Sequence, residues 1–240
     1  MRRVEIFIAC VIDQFFPEVG WDMVKVLEKL GCEVQYNPSQ TCCGMPAYNK
    51  GHREMAKEVA TKFVEDFNSK NDVVSIMPSC TAMVAKNYDT FFRNTSYHNI
   101  YRGLQNRVFE FGDYLLNRMQ VTELPSRYEG KVAIHTNCQA VNTLHQPDTS
   151  QRLLQMVSGL ELVYTKLPGT CCGYAGDYAA SNEKGAIKMA NDLMDQYEAS
   201  GAEIIVSNDY HCLLHFKTIV KKSNRPLRFM HLAEVLAQGI

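Results

Sequence analysis

Eight of the nine cysteines fall into two sets of the same form, and this repeat limits what the chain can be more than any other feature. Cys10 is followed 32 positions later by Cys42-Cys43-Gly44, and Cys80 comes 37 positions after Cys43. Cys138 is followed 33 positions later by Cys171-Cys172-Gly173, and Cys212 comes 40 positions after Cys172. The sets are offset by 128 to 132 residues, and the stretch Val108 to Leu116 resembles Arg228 to Leu236 at an offset of 120. Self-similarity at a fixed spacing marks a duplicated unit. Here the unit is about 120 residues in a chain of 240. Cys32 stands outside the repeat, since the position 129 residues later is Glu161, and it reads as a small buried hydrophobe.

The elements around the cysteines account for the spacing. Val4-Glu5-Ile6-Phe7-Ile8-Ala9 reads as a strand ending at Cys10. Pro17 suits the first turn of a helix whose apolar positions Val24, Leu27 and Leu30 run to Gly31. A strand Glu33-Val34-Gln35-Tyr36 leads to Cys42-Cys43. A helix with Met55, Val59, Phe63 and Phe67 on one face follows, then a strand Val73 to Met77 before Cys80. The second unit repeats the order: Lys131 to Ile134 before Cys138, Leu160 to Tyr164 before Cys171, and Glu203 to Val206 before Cys212. Its middle helix carries Ala186, Met189, Leu193 and Tyr197, with Ser181 or Asn182 as N-cap. The expected fold is α/β, with two pseudo-repeated units, each a small, mostly parallel sheet flanked by helices. Leu124 to Gly130 has turn chemistry, so the units divide as 1–125 and 126–240. In parallel sheets, ligands gather beyond the carboxyl ends of the strands, so the cysteines of each unit should converge there.

Four converging thiols are the ligand set of an iron–sulfur cluster or of structural zinc. Zinc favours short C-x₂₋₄-C pairs, and neither unit has one. Adjacent side chains on an extended segment point apart, so each Cys-Cys pair needs a tight turn, which Gly44 and Gly173 permit. A vicinal disulfide there would be strained. Three residues past the last cysteines stand Met83, read as packing, and His215, one turn from Cys212 and able to join the second metal site. His211 and His135 flank the second set and read as satisfied polar residues, while Asp13, Asp177 and Asp209 read as helix caps.

Composition removes other classes. With 25 basic and 26 acidic residues there is no basic surface for nucleic acid. No stretch approaches the roughly 18 apolar residues of a membrane span. Met1-Arg2-Arg3 and the short apolar run after it read as a strand and not as a signal peptide. Thiols are then expected to stay reduced, in the cytoplasm. No G-x-G-x-x-G turn or Walker lysine suggests a nucleotide.

The duplicated C…CCG…C pattern resembles the cysteine-rich CCG family, which includes a subunit of heterodisulfide reductase and iron–sulfur subunits of glycolate and glycerol-3-phosphate dehydrogenases. The stretches CVIDQFFPEVG, TCCGMP, PSCTAMV, TCCGYAGDYA, SNDYHCLLH and HLAEVLA are similar to the lactate-utilization A branch. That resemblance implies a 4Fe-4S cluster on Cys10, Cys42, Cys43 and Cys80 and another on Cys138, Cys171, Cys172 and Cys212. It further implies an electron-transfer subunit of an L-lactate-oxidising (lactate dehydrogenase) complex, with the other subunits of that complex as partners. The heterodisulfide reductase branch carries a fifth cysteine per unit where this chain has Met83 and His215, which argues against disulfide-reductase chemistry. A zinc-stabilised interaction protein, or zinc at one site with His215 helping, is the alternative.

Overall fold

A computed structural model describes residues 2–165, 169–174, 176–223 and 225–240. It holds two four-stranded sheets, every strand parallel to its neighbours. The first comprises β1 (Arg2–Phe7), β2 (Cys32–Tyr36), β3 (Asp72–Ser75) and β4 (Val108–Glu110), in the order β2-β1-β3-β4. The second comprises β5 (Arg127–His135), β6 (Ser158–Val163), β7 (Ile204–Ser207) and β8 (Arg228–His231), in the order β6-β5-β7-β8. Identical order and sense make the two sheets copies of one plan, as the cysteine repeat predicts. The register agrees residue by residue: Phe7 lies opposite Ser75 in the first sheet, and His135 opposite Ser207 in the second. Phe7 and His135 are therefore equivalent positions.

The strands read as continuous apolar runs because both faces are covered by helices. In β7 all four residues are buried, and in β3 three of four. Pro17 opens the helix Pro17–Lys29 at its first turn, where its missing N–H costs nothing, and Val19, Met23, Val26 and Leu27 are buried. On the helix Arg53–Asp66 and its C-cap, Phe63 and Phe67 of the expected face are buried and Val59 is half-buried, so only Met55 departs from it. Ala56, Ala60, Phe63 and Val64 are buried, whereas Met55 is exposed. Small alanines let this helix approach the cysteine loop beside it, so the bulkier Met55 faces out. The corresponding helix Glu183–Ala199 buries Ala186, Ala190, Leu193, Met194 and Tyr197, with Asn182 capping it by accepting from the Gly185 N–H at 3.1 Å.

Strand β5 begins at Arg127, inside the stretch whose turn chemistry suggested a linker. A register shift between Arg127 and Gly130 and the φ of +151° at Gly130 absorb that irregularity. Two further strands, β4 and β8, lie in the stretches whose likeness first marked the ends of the repeat. Each leads straight into a short helix, capped by Glu110 in one unit and His231 in the other.

The buried apolar residues of both sheets form one continuous cluster. The helix Leu232–Leu236 of the second unit packs on Pro17–Lys29 of the first. A Cβ on Gly112 would lie 3.2 Å from Leu153 and 3.6 Å from Leu232, so the units meet in close van der Waals contact. No helix among the described residues is long and apolar enough to cross a membrane.

Candidate metal centres

All cysteines of the repeat lie at or just beyond strand carboxyl ends. Cys10 opens the helix Cys10–Phe15 after β1, and Cys80 lies in Pro78–Ala82 after β3. Cys138 opens Cys138–Asn142 after β5, and Cys212 sits in the first turn of Tyr210–Ser223 after β7. In each unit the Cys-Cys-Gly turn brings the remaining two sulfurs into line. Thiol hydrogen bonds link Cys10 to Cys42, Cys42 to Cys43 and Cys43 to Cys80. The second set repeats the chain: Cys138 to Cys171, Cys171 to Cys172, and Cys172 to Cys212, whose sulfurs are 3.1 Å apart. Each group has two buried inner thiols (Cys43 and Cys80, or Cys172 and Cys212) and two more accessible outer ones.

The glycine of each triplet is required twice over. Gly44 has φ +79° and Gly173 φ +90°, the left-handed region. Their backbones also press on the neighbouring helix: a Cβ would lie 3.3 Å from the Ala56 carbonyl oxygen in the first unit and 2.8 Å from that of Ala186 in the second. The same turn aims the Gly44 N–H at Cys42 Sγ and the Gly173 N–H at Cys171 Sγ, both at 3.4 Å.

These contacts decide where charge can settle. Hydrogen bonds from Cys10 and Cys43 lower the Cys42 thiol to about 3, and those from Cys138 and Cys172 lower Cys171 to about 2. The donors move the other way: Cys10, Cys43, Cys138 and Cys172 are raised by the bonds they give to an adjacent thiolate and by burial. Four thiols linked neighbour to neighbour in this way cannot all ionise unless a cation lies among them. The donor set therefore fits a metal or a metal–sulfur cluster, which would let the protons leave.

The surroundings differ between the units. The residues before the first cysteine are Phe7-Ile8-Ala9 in one and His135-Thr136-Asn137 in the other. Phe7 packs edge-on to Phe63 and Phe67. His135, equally buried, accepts or gives a hydrogen bond at Nδ1 to the Tyr197 hydroxyl at 2.8 Å, and its ring lies edge-on to Phe216. A His135 ring nitrogen and the sulfurs of Cys172 and Cys212 all lie within 4.8 Å of one another. Asn137 caps the Cys138 helix by accepting from the Gln139 and Ala140 N–H groups, and its side-chain amide points at Cys212 Sγ at 3.6 Å. Asn137 was open to sequence reasoning as a capping residue directly before a helical cysteine.

The other expected positions fall as follows. His215 lies on the helix of Cys212 with Nε2 3.3 Å from the Ala186 carbonyl oxygen, outside the close group that His135 forms with Cys172 and Cys212, and burial lowers its pKa. His211 pairs with Asp209 at 3.3 Å; burial opposes its charge, but the bond to Asp209 outweighs it and raises the pKa to about 9. Asp209 accepts from the N–H groups of Ser79 and His211, so it caps helices in both units. Asp13 bonds instead to Gln14 and Tyr36, and the Asp177 side chain lies outside the described residues. Met83 is buried in the core, and Cys32 is buried with its sulfur 3.7 Å from Met119 Sδ. A cleft of about 580 Å³ opens onto the second set, lined by Cys138, Cys171, His211 and Tyr174, with Lys50 and Pro46 of the first unit on its far wall.

Two repeated sheets, each with a C…CCG…C thiol group at its carboxyl end, define a class of protein, and the chain belongs to the cysteine-rich CCG domain family, whose model matches residues 4–85 and 132–217. More particularly, it is 32% identical to Lactate utilization protein A of Halalkalibacterium halodurans over 98% of this chain and 96% of that one. It is 31% identical to Lactate utilization protein A of Bacillus subtilis over 98% of each chain. Among solved structures, a hypothetical protein from Helicobacter pylori shares the fold at a TM-score of 0.64 and 11% identity, covering 98% of this chain and 48% of that one.

Proposed function

We propose that this chain is an iron–sulfur electron-transfer subunit of a system that oxidises L-lactate to pyruvate, acting in the cytoplasm with the other subunits of that complex. The observation that carries the reading is the convergence of two four-thiol groups on the carboxyl ends of two equivalent parallel sheets. Cys10, Cys42, Cys43 and Cys80 would hold one 4Fe-4S cluster, and Cys138, Cys171, Cys172 and Cys212 another. When bound, such a cluster supplies one-electron acceptance and release. The protein's part is to bury the inner sulfurs away from water and to turn the glycine N–H groups toward an outer one in each group. The lactate assignment follows the lactate-utilization relatives, which match the chain from end to end.

The mixed sulfur and nitrogen donors around Cys172 and Cys212 also suit zinc, so the second site has a rival occupant. Iron, sulfide and zinc analysis of protein purified anaerobically, with EPR after reduction, tests the proposal. Roughly four irons and four sulfides for each occupied site, with a reducible signal, is the expected result. Colourless protein that takes up zinc alone after anaerobic reconstitution would sink it.

A further inference from the structure

We propose that His135 is a direct ligand, through Nε2, of the metal centre at the second thiol site, so that the two sites differ in kind although their sheets are copies. The inference rests on the reading of the thiol groups as metal sites.

Three observations carry it. The first is burial without a nitrogen or oxygen partner: His135 is 2% exposed, and no such group among the described residues meets its Nε2, which is left to the thiols beside it. A nitrogen buried with only sulfur beside it is a feature that a structure keeps where something else uses the lone pair. The second is position. With Nδ1 held by the Tyr197 hydroxyl, Nε2 is the nitrogen left over on a ring that lies within 4.8 Å of the Cys172 and Cys212 sulfurs. The third is the comparison with the first unit. There Phe7 occupies the same register position and packs on Phe67, where the second unit has Tyr197. An apolar pair suffices for packing at this place in the fold, so a hydrogen-bonded His–Tyr pair in its stead asks for another explanation.

The pair also sets the ring for ligation. Metal-bound histidines give their second N–H to an acceptor, which fixes tautomer and orientation. If Nδ1–H donates to Tyr197 Oη, the Nε2 lone pair faces the sulfurs. The second site then offers five donors, four thiols and an imidazole, whereas the equivalent position of the first holds the Phe7 ring, which can bind no metal.

X-ray absorption at the metal edge tests this, because a bound imidazole ring gives outer-shell scattering that thiolates do not. Reduced protein is loaded anaerobically with iron and sulfide and, in a separate sample, with cobalt(II). Imidazole scattering should be present in the parent protein, absent in His135→Phe, and unchanged in His215→Phe. His135→Phe introduces the residue that the first unit already carries, so folding should survive, and far-ultraviolet circular dichroism checks it. Scattering that is missing from the parent, that persists in His135→Phe, or that vanishes in His215→Phe overturns the assignment, as does failure to retain either metal. Imidazole scattering with cobalt but no iron–sulfur assembly keeps the histidine ligand and removes the iron–sulfur reading, so the two claims fail separately.

Discussion

The carboxylate of Asp209, in the second unit, accepts a hydrogen bond from the Ser79 backbone N–H of the first at 3.2 Å. Asp209 is fully buried, and Ser79 is the residue before Cys80. The loop after β7 therefore caps the helix that carries a thiol of the other unit, and the two sites share a structural support. Asp209 also holds His211 beside Cys212. Replacing it with alanine leaves the Ser79 N–H and the His211 ring without their acceptor. We expect Asp209→Ala to cost about 3 kcal/mol, the usual loss on breaking a buried charge pair. Urea unfolding of the reduced, metal-free protein reads this directly. Iron content should fall at both sites and not at the second alone.

The two triplet glycines should not be equally sensitive. Both occupy left-handed backbone, where a side chain costs about 1–2 kcal/mol. At Gly44 the nearest atom to an added Cβ is a carbonyl oxygen at 3.3 Å, which a small shift accommodates. At Gly173 it is a carbonyl oxygen at 2.8 Å, with the Ala186 Cα at 3.1 Å, so a helix must move. Gly173→Ala should lower stability by about 3 kcal/mol and Gly44→Ala by about half of that. Thermal melts of the two variants, compared side by side, check the order. Equal losses would mean that packing against Ala186 adds nothing.

Much of this was legible in the residues because the architecture is written twice. Strand runs such as Ile204 to Val206 are apolar on both faces, and the cysteines mark each carboxyl end, so fold and thiol groups could be read from spacing alone. The rest depends on three-dimensional neighbours. Met55 continues the apolar period of Val59, Phe63 and Phe67, yet it alone faces out, because Ala56 and Val59 are the residues that meet the Gly44 turn. His135 reads as an ordinary polar residue until β5 and β7 set it opposite Ser207 and against the Cys172 and Cys212 sulfurs. His215 has the better sequence spacing, but the turn of its helix points it to the Ala186 carbonyl. Asp209 joins the units through a contact 130 residues away in sequence, which no local pattern encodes.

Cysteine substitutions should separate ligands from packing. Cys42→Ser and Cys171→Ser each remove one sulfur from a different group, and each should release about half of the iron bound by the parent protein. Cys32→Ala should leave iron and sulfide unchanged, because its sulfur contacts Met119 and belongs to neither group. It should cost about 1 kcal/mol of stability through the lost contact. Iron and sulfide assays on the three variants, prepared together under argon, distinguish these cases. Loss of iron from Cys32→Ala would place that residue among the ligands.

Glu110 and His231 occupy equivalent strand ends and both cap a following helix, Glu110 by accepting from the Asp113 N–H at 2.9 Å and His231 by accepting from the Ala233 N–H at 3.1 Å. Burial moves both toward their neutral forms, which gives them opposite pH dependences. It raises Glu110 to about 8 and lowers His231 to about 4. For Glu110 the folded state holds a proton that the unfolded state loses near 4.5, so its contribution is full below that pH and lost as pH rises to about 8. For His231 the unfolded state takes up a proton near 6.5 that the folded state refuses, so its contribution is full above that pH and lost as pH falls to about 4. The shifts correspond to a few kcal/mol at the extremes, on the order of 5 for the Glu110 limb and 3 for the His231 limb. Glu110→Gln keeps a side-chain acceptor for the Asp113 N–H and removes the titration; His231→Asn does the same with a good capping residue. Urea midpoints measured from pH 4 to pH 9 on metal-free protein should show the alkaline fall reduced in Glu110→Gln and the acid fall reduced in His231→Asn, each without change to the other limb. An alkaline limb that matches the parent in Glu110→Gln would show that the buried carboxyl is not what couples stability to pH.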